Sequence, residues 1–205
     1  MQNFEIKKAD PLILIISGLS GAGKDSVIAC LRKMETIDFH FVVTCNTRAP
    51  RDGEINGKDY HFMTRERFLE MVESGEMVEH SKVYDDYKGV PKFEIDRAFE
   101  EGKDLILRLD YQGMQKVKKI YPDAISIFIL PPDFETWIGR LRGRGSDTEE
   151  ALQVRIATAE KELECVPDFD YVVINDELEK AAAEVASIVQ AERYRSARRK
   201  VMITK

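Results

Sequence analysis

The chain has 205 residues, enough for one substantial hydrophobic core with insertions rather than two full domains. Its 37 acidic residues outnumber its 31 lysines and arginines, and the net charge of -6 argues against a general nucleic-acid or membrane-surface binder. The three cysteines are widely spaced, and the three histidines offer no zinc-ligand spacing. The segment from Met1 to Pro11 lacks the apolar run of a signal peptide, and no apolar run approaches the length of a membrane span. We therefore expect a cytoplasmic protein without a structural metal.

A glycine-rich turn follows the first long apolar run, residues 12–16, and precedes a helical pattern. Gly18, Gly23 and Lys24 have the spacing G-x-x-x-x-G-K, in which backbone N–H groups converge on phosphate oxygens and the lysine reaches the β- and γ-phosphates. The N-terminus of the following helix adds a favourable dipole. A tight turn without a ligand is the alternative. The apolar strand, the spacing and the following helix together favour a nucleotide-binding loop.

Asp25 follows Lys24 at the position where this motif has Ser or Thr, whose hydroxyl binds Mg²⁺. A carboxylate can also bind Mg²⁺, but it places negative charge beside a phosphate. Asp25 therefore either acts through water or points away from the metal. Ser26 retains a hydroxyl one residue later, and these two residues are the candidate Mg²⁺ ligands.

After this loop, apolar strands alternate with helical patterns, which is typical of a parallel sheet covered by helices. We predict helices over 24–34, 91–101, 111–121, from about 133, over 148–164 and from 177 to about 195. Further strands are predicted over 39–44, 104–109, 124–130 and 171–174.

Residues 45–90 interrupt this alternation. Residues 45–57 are polar and contain proline and glycine, which predicts a loop. Thr64 is predicted to cap a helix through Glu73 that Gly75 ends, followed by a strand over 77–84 and a turn over 87–91. We interpret the whole segment as an inserted substrate-binding lobe.

Four arginines surround the glycine-containing segment 143–146: Arg140, Arg142, Arg144 and Arg155. Phosphoryl transfer needs positive charge around the transferred group, and a kinase must also exclude water. A solvated helix would carry similar charges, but beside a phosphate loop the arginines favour a closing lid. The basic tail at 198–200 is instead interpreted as a solvated helix end.

The sequence resembles the guanylate kinase family from about Leu12 to Glu192. Besides the phosphate loop, the matching segments are TCNTRAPR (44–51), GEINGKDYHF (53–62), DYQG (110–113), RLRGRG (140–145) and ND (175–176). The resemblance implies an α/β P-loop NTPase fold with a parallel sheet covered by helices. It divides the chain into a core (1–44, 91–139 and 165–205), a GMP-binding lobe (45–90) and a helical lid (140–164). It further implies Mg²⁺-dependent phosphorylation of GMP to GDP by ATP. Because of the net negative charge, we expect no nucleic acid or membrane as partner.

The same resemblance assigns roles to individual residues. The implied catalytic residues are Lys24, Arg48, Arg140, Arg144 and Arg155. The implied ATP-binding residues are Gly18, Ser20, Gly21, Ala22, Gly23, Lys24, Asp25, Ser26 and, at the adenine, Asn175. Thr44, Glu79 and Asp110 would bind the guanine of GMP, and Arg48, Arg51 and Tyr60 its phosphate. Carboxylates can accept hydrogen bonds from the guanine N1–H and N2 amino groups, and arginine forks match phosphate oxygens.

Three further positions depart from the family pattern. Val90 replaces a hydroxyl residue that donates to guanine O6, and Lys88 replaces a phosphate-binding tyrosine and could bind phosphate as a point charge. Arg108 replaces an acidic residue. These departures keep open a ribose 1,5-bisphosphate phosphokinase of the same fold. A non-catalytic guanylate kinase-like module is disfavoured because Gly23 and Lys24 are intact. The oligomeric state is not predicted.

Overall fold

The computed structural model describes residues 3–6, 10–34, 38–83, 85–143, 149–199 and 201–204. The strands in chain order are β1 (Asn3–Ile6), β2 (Ile13–Gly18), β3 (Phe39–Phe41), β4 (Cys45–Asn46), β5 (His61–Phe62), β6 (Met77–Val83), β7 (Asp86–Pro91), β8 (Asp104–Arg108), β9 (Ile125–Leu130), β10 (Tyr171–Ile174) and β11 (Val201–Thr204). The α-helices are α1 (Lys24–Leu31), α2 (Arg65–Glu73), α3 (Lys92–Glu100), α4 (Tyr111–Ile120), α5 (Phe134–Arg142), α6 (Glu149–Glu164) and α7 (Leu178–Arg193).

The central sheet has five strands in the order β10-β9-β2-β8-β3, and every neighbouring pair is parallel. Strand β2, which leads into the glycine-rich loop, is the middle strand. All six of its residues are buried, because helices cover both faces of the sheet. This confirms the predicted α/β fold class and explains the continuous apolar run at the start of the chain.

The hydrophobic core lies on the two faces of this sheet. Leu14, Ile15 and Ile16 are fully buried, and burying one such side chain stabilises the fold by about 1.5–3 kcal/mol. Helix α7 packs against α1, and its buried residues include Ala181 and Ala182.

A second sheet is formed by the strands between Cys45 and Pro91, in the order β5-β4-β7-β6. Strands β6 and β7 are an antiparallel pair, β7 pairs antiparallel with β4, and β4 pairs parallel with β5. Helix α2 packs on β6 and β7, and β6 also contacts α4. The second sheet is thereby positioned beside the carboxyl ends of the central strands.

The structure corrects two predictions in this part of the chain. The predicted turn over 87–91 is wrong, because these residues belong to β7 and pair with β6 and β4. The predicted loop over 45–57 begins with a short strand, Cys45–Asn46. Gly89 allows β7 to lie close to β6, because a Cβ at that position would lie 2.8 Å from the carbonyl oxygen of Glu79. Strand β4 depends on a partner distant in sequence, β7, whereas β7 also pairs with the strand that directly precedes it, β6.

Local signals predicted other element ends well. The side chain of Thr64 accepts a hydrogen bond from the N–H of Arg67, which confirms its role as the N-cap of α2.

The predicted strand over 39–44 is shorter, Phe39–Phe41, because the chain leaves β8 there and enters the second sheet. Strands β1 and β11 form an antiparallel pair that was not predicted. Of the helices within the described ranges, none is long and apolar enough to cross a membrane.

Candidate active site

The glycine-rich loop connects β2 to α1 at the carboxyl edge of the central sheet. Gly23 is the N-cap of α1 and has a φ of 87°, a left-handed conformation that favours glycine. A Cβ at Gly23 would lie 2.3 Å from the side-chain nitrogen of Asn175, and a Cβ at Gly18 would lie 2.1 Å from the carbonyl oxygen of Ile129. These two glycines are therefore required by close packing as well as by the turn.

Side chains from distant elements hold this loop from behind. The amide nitrogen of Asn175 donates to the carbonyl oxygen of Ala22 at 2.7 Å, and Trp137 Nε1 donates to the carbonyl oxygen of Ser20 at 2.8 Å. Asn175 is buried, and its backbone carbonyl oxygen accepts a hydrogen bond from Arg140 Nη1 at 2.9 Å. These hydrogen bonds stabilise the conformation of the loop.

Two other predicted residues contact the loop directly. Arg155 Nη1 on α6 lies 2.7 Å from Ser20 Oγ. Lys24 Nζ donates to the carbonyl oxygens of Gly18 and Leu19, at 2.5 and 2.9 Å. The ammonium group therefore lies within the loop, where a bound triphosphate would replace these carbonyls as its partner.

A cleft of about 460 Å³ extends from this loop to the second sheet. It brings together most of the predicted site residues: Gly18, Ser20, Gly21, Gly23, Lys24, Asp25, Ser26, Thr44, Tyr60, Glu79, Lys88 and Asp110. The cleft lies outside the carboxyl ends of the parallel strands, which is where ligands bind in open α/β sheets.

One end of the cleft is acidic. Glu79 on β6 is only 5% exposed, and its carboxylate lies 3.3 Å from Lys116 Nζ. Burial raises the pKa of Glu79 above its usual value, Lys116 opposes this shift, and the nearby Asp110 adds to it. Asp110 is the N-cap of α4, and its Oδ1 accepts from the N–H of Gly113 at 2.8 Å. Two acceptor groups therefore face the same end of the cleft.

The other side of the cleft is cationic and is centred on Tyr60. The guanidinium of Arg48 lies 5.2 Å from the centroid of the Tyr60 ring, Lys88 Nζ 5.9 Å and the guanidinium of Arg108 6.0 Å. Arg48 forms a bidentate ion pair with Glu54, at 2.6 and 2.5 Å, and this raises the pKa of Arg48. This arrangement is suited to an anion.

The other predicted residues within the described ranges do not line the cleft. Arg48 is turned toward Glu54, whose carboxylate also accepts from the N–H of Arg51 at 2.7 Å. Arg140 and Asn175 lie behind the loop. Arg144 lies outside the described residues.

Sequence reasoning missed one acidic residue of the cleft, Glu162 on α6. Burial raises the pKa of Glu162. The positive charge of Lys24 opposes this shift and the negative charge of Asp110 adds to it, so Glu162 interacts with both groups. A signal was available, because Glu162 follows Arg155 by seven residues, or two helical turns, and therefore shares its helix face. Ser81 also lines the cleft without having been predicted.

The candidate Mg²⁺ ligands, Asp25 and Ser26, are hard oxygen donors at the edge of the cleft. No group of three or more His, Cys, Asp or Glu side chains suited to a metal ion occurs in the described part of the chain. Mg²⁺ commonly uses one or two protein ligands together with water and substrate phosphates, so this donor set fits a nucleotide-bound Mg²⁺.

The parallel sheet, the loop at its carboxyl edge and the adjoining cleft define a P-loop NTPase fold. The guanylate kinase family model matches residues 10–192, and the chain belongs to the guanylate kinase family.

Known relatives are similar over most of the chain. It is 40% identical over 184 residues to a guanylate kinase of Lactococcus lactis subsp. lactis, covering 90% of this chain and 89% of that protein. It is 45% identical over 196 residues to guanylate kinase 2, chloroplastic/mitochondrial, of Oryza sativa subsp. japonica, covering 94% of this chain and 68% of that protein. The crystal structure of guanylate kinase from Anaplasma phagocytophilum superposes with a TM-score of 0.75 at 29% identity, covering 95% of this chain and 92% of that one.

Proposed function

We propose that the protein transfers the γ-phosphoryl group of ATP to the phosphate of GMP, which yields ADP and GDP. One observation carries this proposal: a single cleft joins Lys24 of the phosphate loop to the buried carboxylate of Glu79 and to the cations around Tyr60. This is the combination that a nucleoside monophosphate kinase needs, because donor phosphates, acceptor phosphate and acceptor base must be held at once.

In this proposal, guanine is recognised by Glu79, Asp110 and Thr44. The burial of Glu79 supports this role, because a hydrogen bond to a desolvated carboxylate discriminates strongly between bases that can and cannot donate. Val90, which pairs with Glu79 in the sheet, is buried and has no side-chain donor for guanine O6. The two carboxylates therefore carry most of the discrimination.

The acceptor phosphate is assigned to Arg48, Arg51, Tyr60 and Lys88. Its oxygen is the nucleophile, so the protein has to position it and screen its charge rather than activate a neutral group. The pairing of Arg48 with Glu54 supports this role, because that carboxylate keeps the guanidinium beside Tyr60 until a phosphate competes for it.

The donor nucleotide is assigned to the loop residues, with Lys24 at the β- and γ-phosphates. Arg140, Arg144 and Arg155 are proposed as lid residues over these phosphates, and Asn175 is proposed as a contact of the adenine. Mg²⁺ is proposed as the cofactor, with Ser26 and Asp25 as the residues that would hold it. When bound, it neutralises charge that develops on the phosphates.

We further propose the domain assignment given by the resemblance: a core, a GMP-binding lobe over 45–90 and a lid over 140–164. Its support is that the second sheet is built from strands within 45–91. A cytoplasmic location is proposed because Cys30, Cys45 and Cys165 are unpaired, as is usual in a reducing compartment.

The decisive experiment measures ADP release with GMP, dGMP, AMP and ribose 1,5-bisphosphate offered separately. We expect GMP to be the preferred acceptor and AMP and ribose 1,5-bisphosphate to be poor ones. Preference for ribose 1,5-bisphosphate would identify the alternative kinase of this fold, and no turnover with any acceptor would indicate a non-catalytic module.

Replacing Lys24 tests the phosphate loop in the same assay. Lys24→Ala should lower kcat by roughly 100-fold or more, because it removes a preorganised charge beside the transferred group. Lys33→Ala, an exposed lysine just after α1, is the matched control and should retain normal turnover. Near-normal turnover by Lys24→Ala would contradict the assignment.

A further inference from the structure

Arg108 occupies a position between the two halves of the cleft. It is the last residue of β8, and it pairs with Ile16 of β2. Its side chain therefore leaves the carboxyl edge of the sheet next to the phosphate loop. The side chain is 40% exposed and lines the cleft.

The guanidinium of Arg108 makes two polar contacts with different parts of the molecule. Nη1 forms an ion pair with Asp25 Oδ1, on the first turn of α1. Nη2 donates to the hydroxyl of Tyr60 at 3.0 Å, on the side of the second sheet. Arg108 thus connects the phosphate loop to the tyrosine around which the other cations gather.

The charges around Tyr60 favour an additional anion. Three cationic side chains lie near its ring: Arg48, Lys88 and Arg108. Only two carboxylates pair with them, Glu54 with Arg48 and Asp25 with Arg108. Within the described residues, the ammonium group of Lys88 has no hydrogen bond or ion pair besides this ring contact. Three cations against two carboxylates leave one net positive charge, and displacement of Asp25 from Arg108 leaves two, which matches a phosphate dianion.

The ion pair between Arg108 and Asp25 is suited to exchange. Asp25 is 68% exposed, and ion pairs between exposed groups contribute little to stability. A guanidinium binds carboxylate and phosphate with the same planar fork, so a phosphate can take the place of the Asp25 carboxylate.

We propose that Arg108 binds the phosphate of the acceptor nucleotide together with Tyr60, and that Asp25 holds the Arg108 guanidinium in position when no acceptor is bound. This inference rests on the proposed function and adds a phosphate-binding residue to it. Acceptor binding breaks the pair with Asp25 and leaves its carboxylate facing the phosphate loop.

The test is a binding experiment with GMP in the absence of ATP and Mg²⁺, which separates Arg108 from the metal and from turnover. Arg108→Gln should weaken GMP binding by roughly 10- to 100-fold, as expected for the loss of a charge-assisted contact. Arg108→Lys should fall between this variant and the unmodified protein, because an ammonium keeps the charge but not the fork. Guanosine, measured as a competitor of GMP, should bind all three proteins within about twofold, because it has no phosphate.

Arg65→Gln is a matched control for the loss of a guanidinium. Arg65 also stacks on a tyrosine ring, at 5.0 Å from Tyr87, and donates to its hydroxyl at 3.1 Å, but it does not line the cleft. Its substitution should leave GMP binding unchanged. Asp25→Asn should instead tighten GMP binding several-fold, because the guanidinium is no longer shared with a carboxylate.

The outcomes separate the hypotheses. GMP binding by Arg108→Gln within about twofold of the unmodified protein, or an equal loss for guanosine and GMP, would overturn the phosphate assignment. Unchanged or weaker binding by Asp25→Asn would overturn the role given to Asp25. If circular dichroism shows that Arg108→Gln does not fold, GMP binding by Arg108→Lys and Asp25→Asn tests the phosphate assignment instead. Failure of the unmodified protein to bind GMP would instead reject the proposed function itself.

Discussion

At the scale of single residues, burial decides what a carboxylate can do. Asp25 and Glu79 both line the cleft, but Asp25 is exposed and paired with an arginine, whereas Glu79 is enclosed. Desolvation raises the pKa of Glu79, with Lys116 opposing and Asp110 reinforcing the shift. Glu79 therefore has a strong tendency to accept hydrogen bonds and loses its charge at a higher pH than an exposed glutamate.

Glu79→Gln should raise the KM for GMP by roughly 10- to 150-fold, since one charge-assisted hydrogen bond is worth about 1.5–3 kcal/mol. The KM of the unmodified protein should rise as the pH falls toward the raised pKa of Glu79, because protonation removes an acceptor. The variant should lack this component. Initial rates at several pH values measure both effects.

The matched control is Glu76→Gln, an exposed residue that follows α2 and pairs with Arg67 in the first turn of that helix. It should leave the KM for GMP and its pH dependence unchanged. A Glu79→Gln variant with unaltered GMP kinetics would remove Glu79 from the guanine site, and an equal effect of Glu76→Gln would indicate a general charge effect.

At the scale of elements, the phosphate loop is shaped by what packs behind it. Asn175 follows β10, and its amide supports Ala22 and fills the space next to Gly23. The loop, β10 and α5 therefore form one unit, with Trp137 of α5 holding Ser20. A side chain at Gly23 would have to displace Asn175.

Gly23→Ala should abolish ATP binding or weaken it by roughly 100-fold, because it adds a collision to the backbone strain of a left-handed residue. Gly75→Ala isolates the strain, since Gly75 has a φ of 72° and a Cβ there meets nothing within 4 Å. This control should lose about 1 kcal/mol of stability and keep its ATP affinity. Calorimetric titration with ATP distinguishes the two, and equal ATP affinities would contradict the packing argument.

At the scale of the whole molecule, one buried carboxylate joins the two sheets. Glu94 of α3, whose side chain is 4% exposed, accepts from His40 Nε2 of β3 at 2.7 Å and from His61 Nε2 of β5 at 2.9 Å. It also accepts from the N–H of Val43 at 3.3 Å. Burial alone would raise the pKa of Glu94, but these hydrogen bonds outweigh burial and hold the pKa below its usual value.

A lowered pKa in the folded state means that Glu94 stabilises the fold above the unfolded-state pKa of about 4.3 and loses this contribution as the pH falls through its folded-state value. Glu94→Gln should reduce the free energy of unfolding by about 2–4 kcal/mol near neutral pH. The difference from the unmodified protein should shrink in acid. Urea unfolding from about pH 7 down to about pH 3 measures it.

Glu100→Gln, an exposed glutamate on the same helix, is the control and should change stability by less than about 0.5 kcal/mol. A difference between Glu94→Gln and the unmodified protein that stays constant across the pH range would show that its side chain contributes by packing and not by charge.

The sequence by itself determined the features that depend on neighbours along the chain. The phosphate loop has its spacing within 18–24, the N-cap at Thr64 acts on Arg67, and the alternation of strands and helices follows from local hydrophobic patterns. Such features are set by interactions a few residues apart, so they were predicted with nearly correct ends. The resemblance to a family supplied the residue roles, which remain proposals.

Only the tertiary structure decided which of these residues meet. The pairing of β7 with β4, the ion pair of Asp25 with Arg108, and the junction of His40, His61 and Glu94 join residues that lie far apart in the sequence. In the sequence, Asp25 and Arg108 were two separate departures from a family pattern, and in the structure they are one charge pair. A single sequence records the charge of each residue but not its partner, because contact is determined by how the sheets and helices pack.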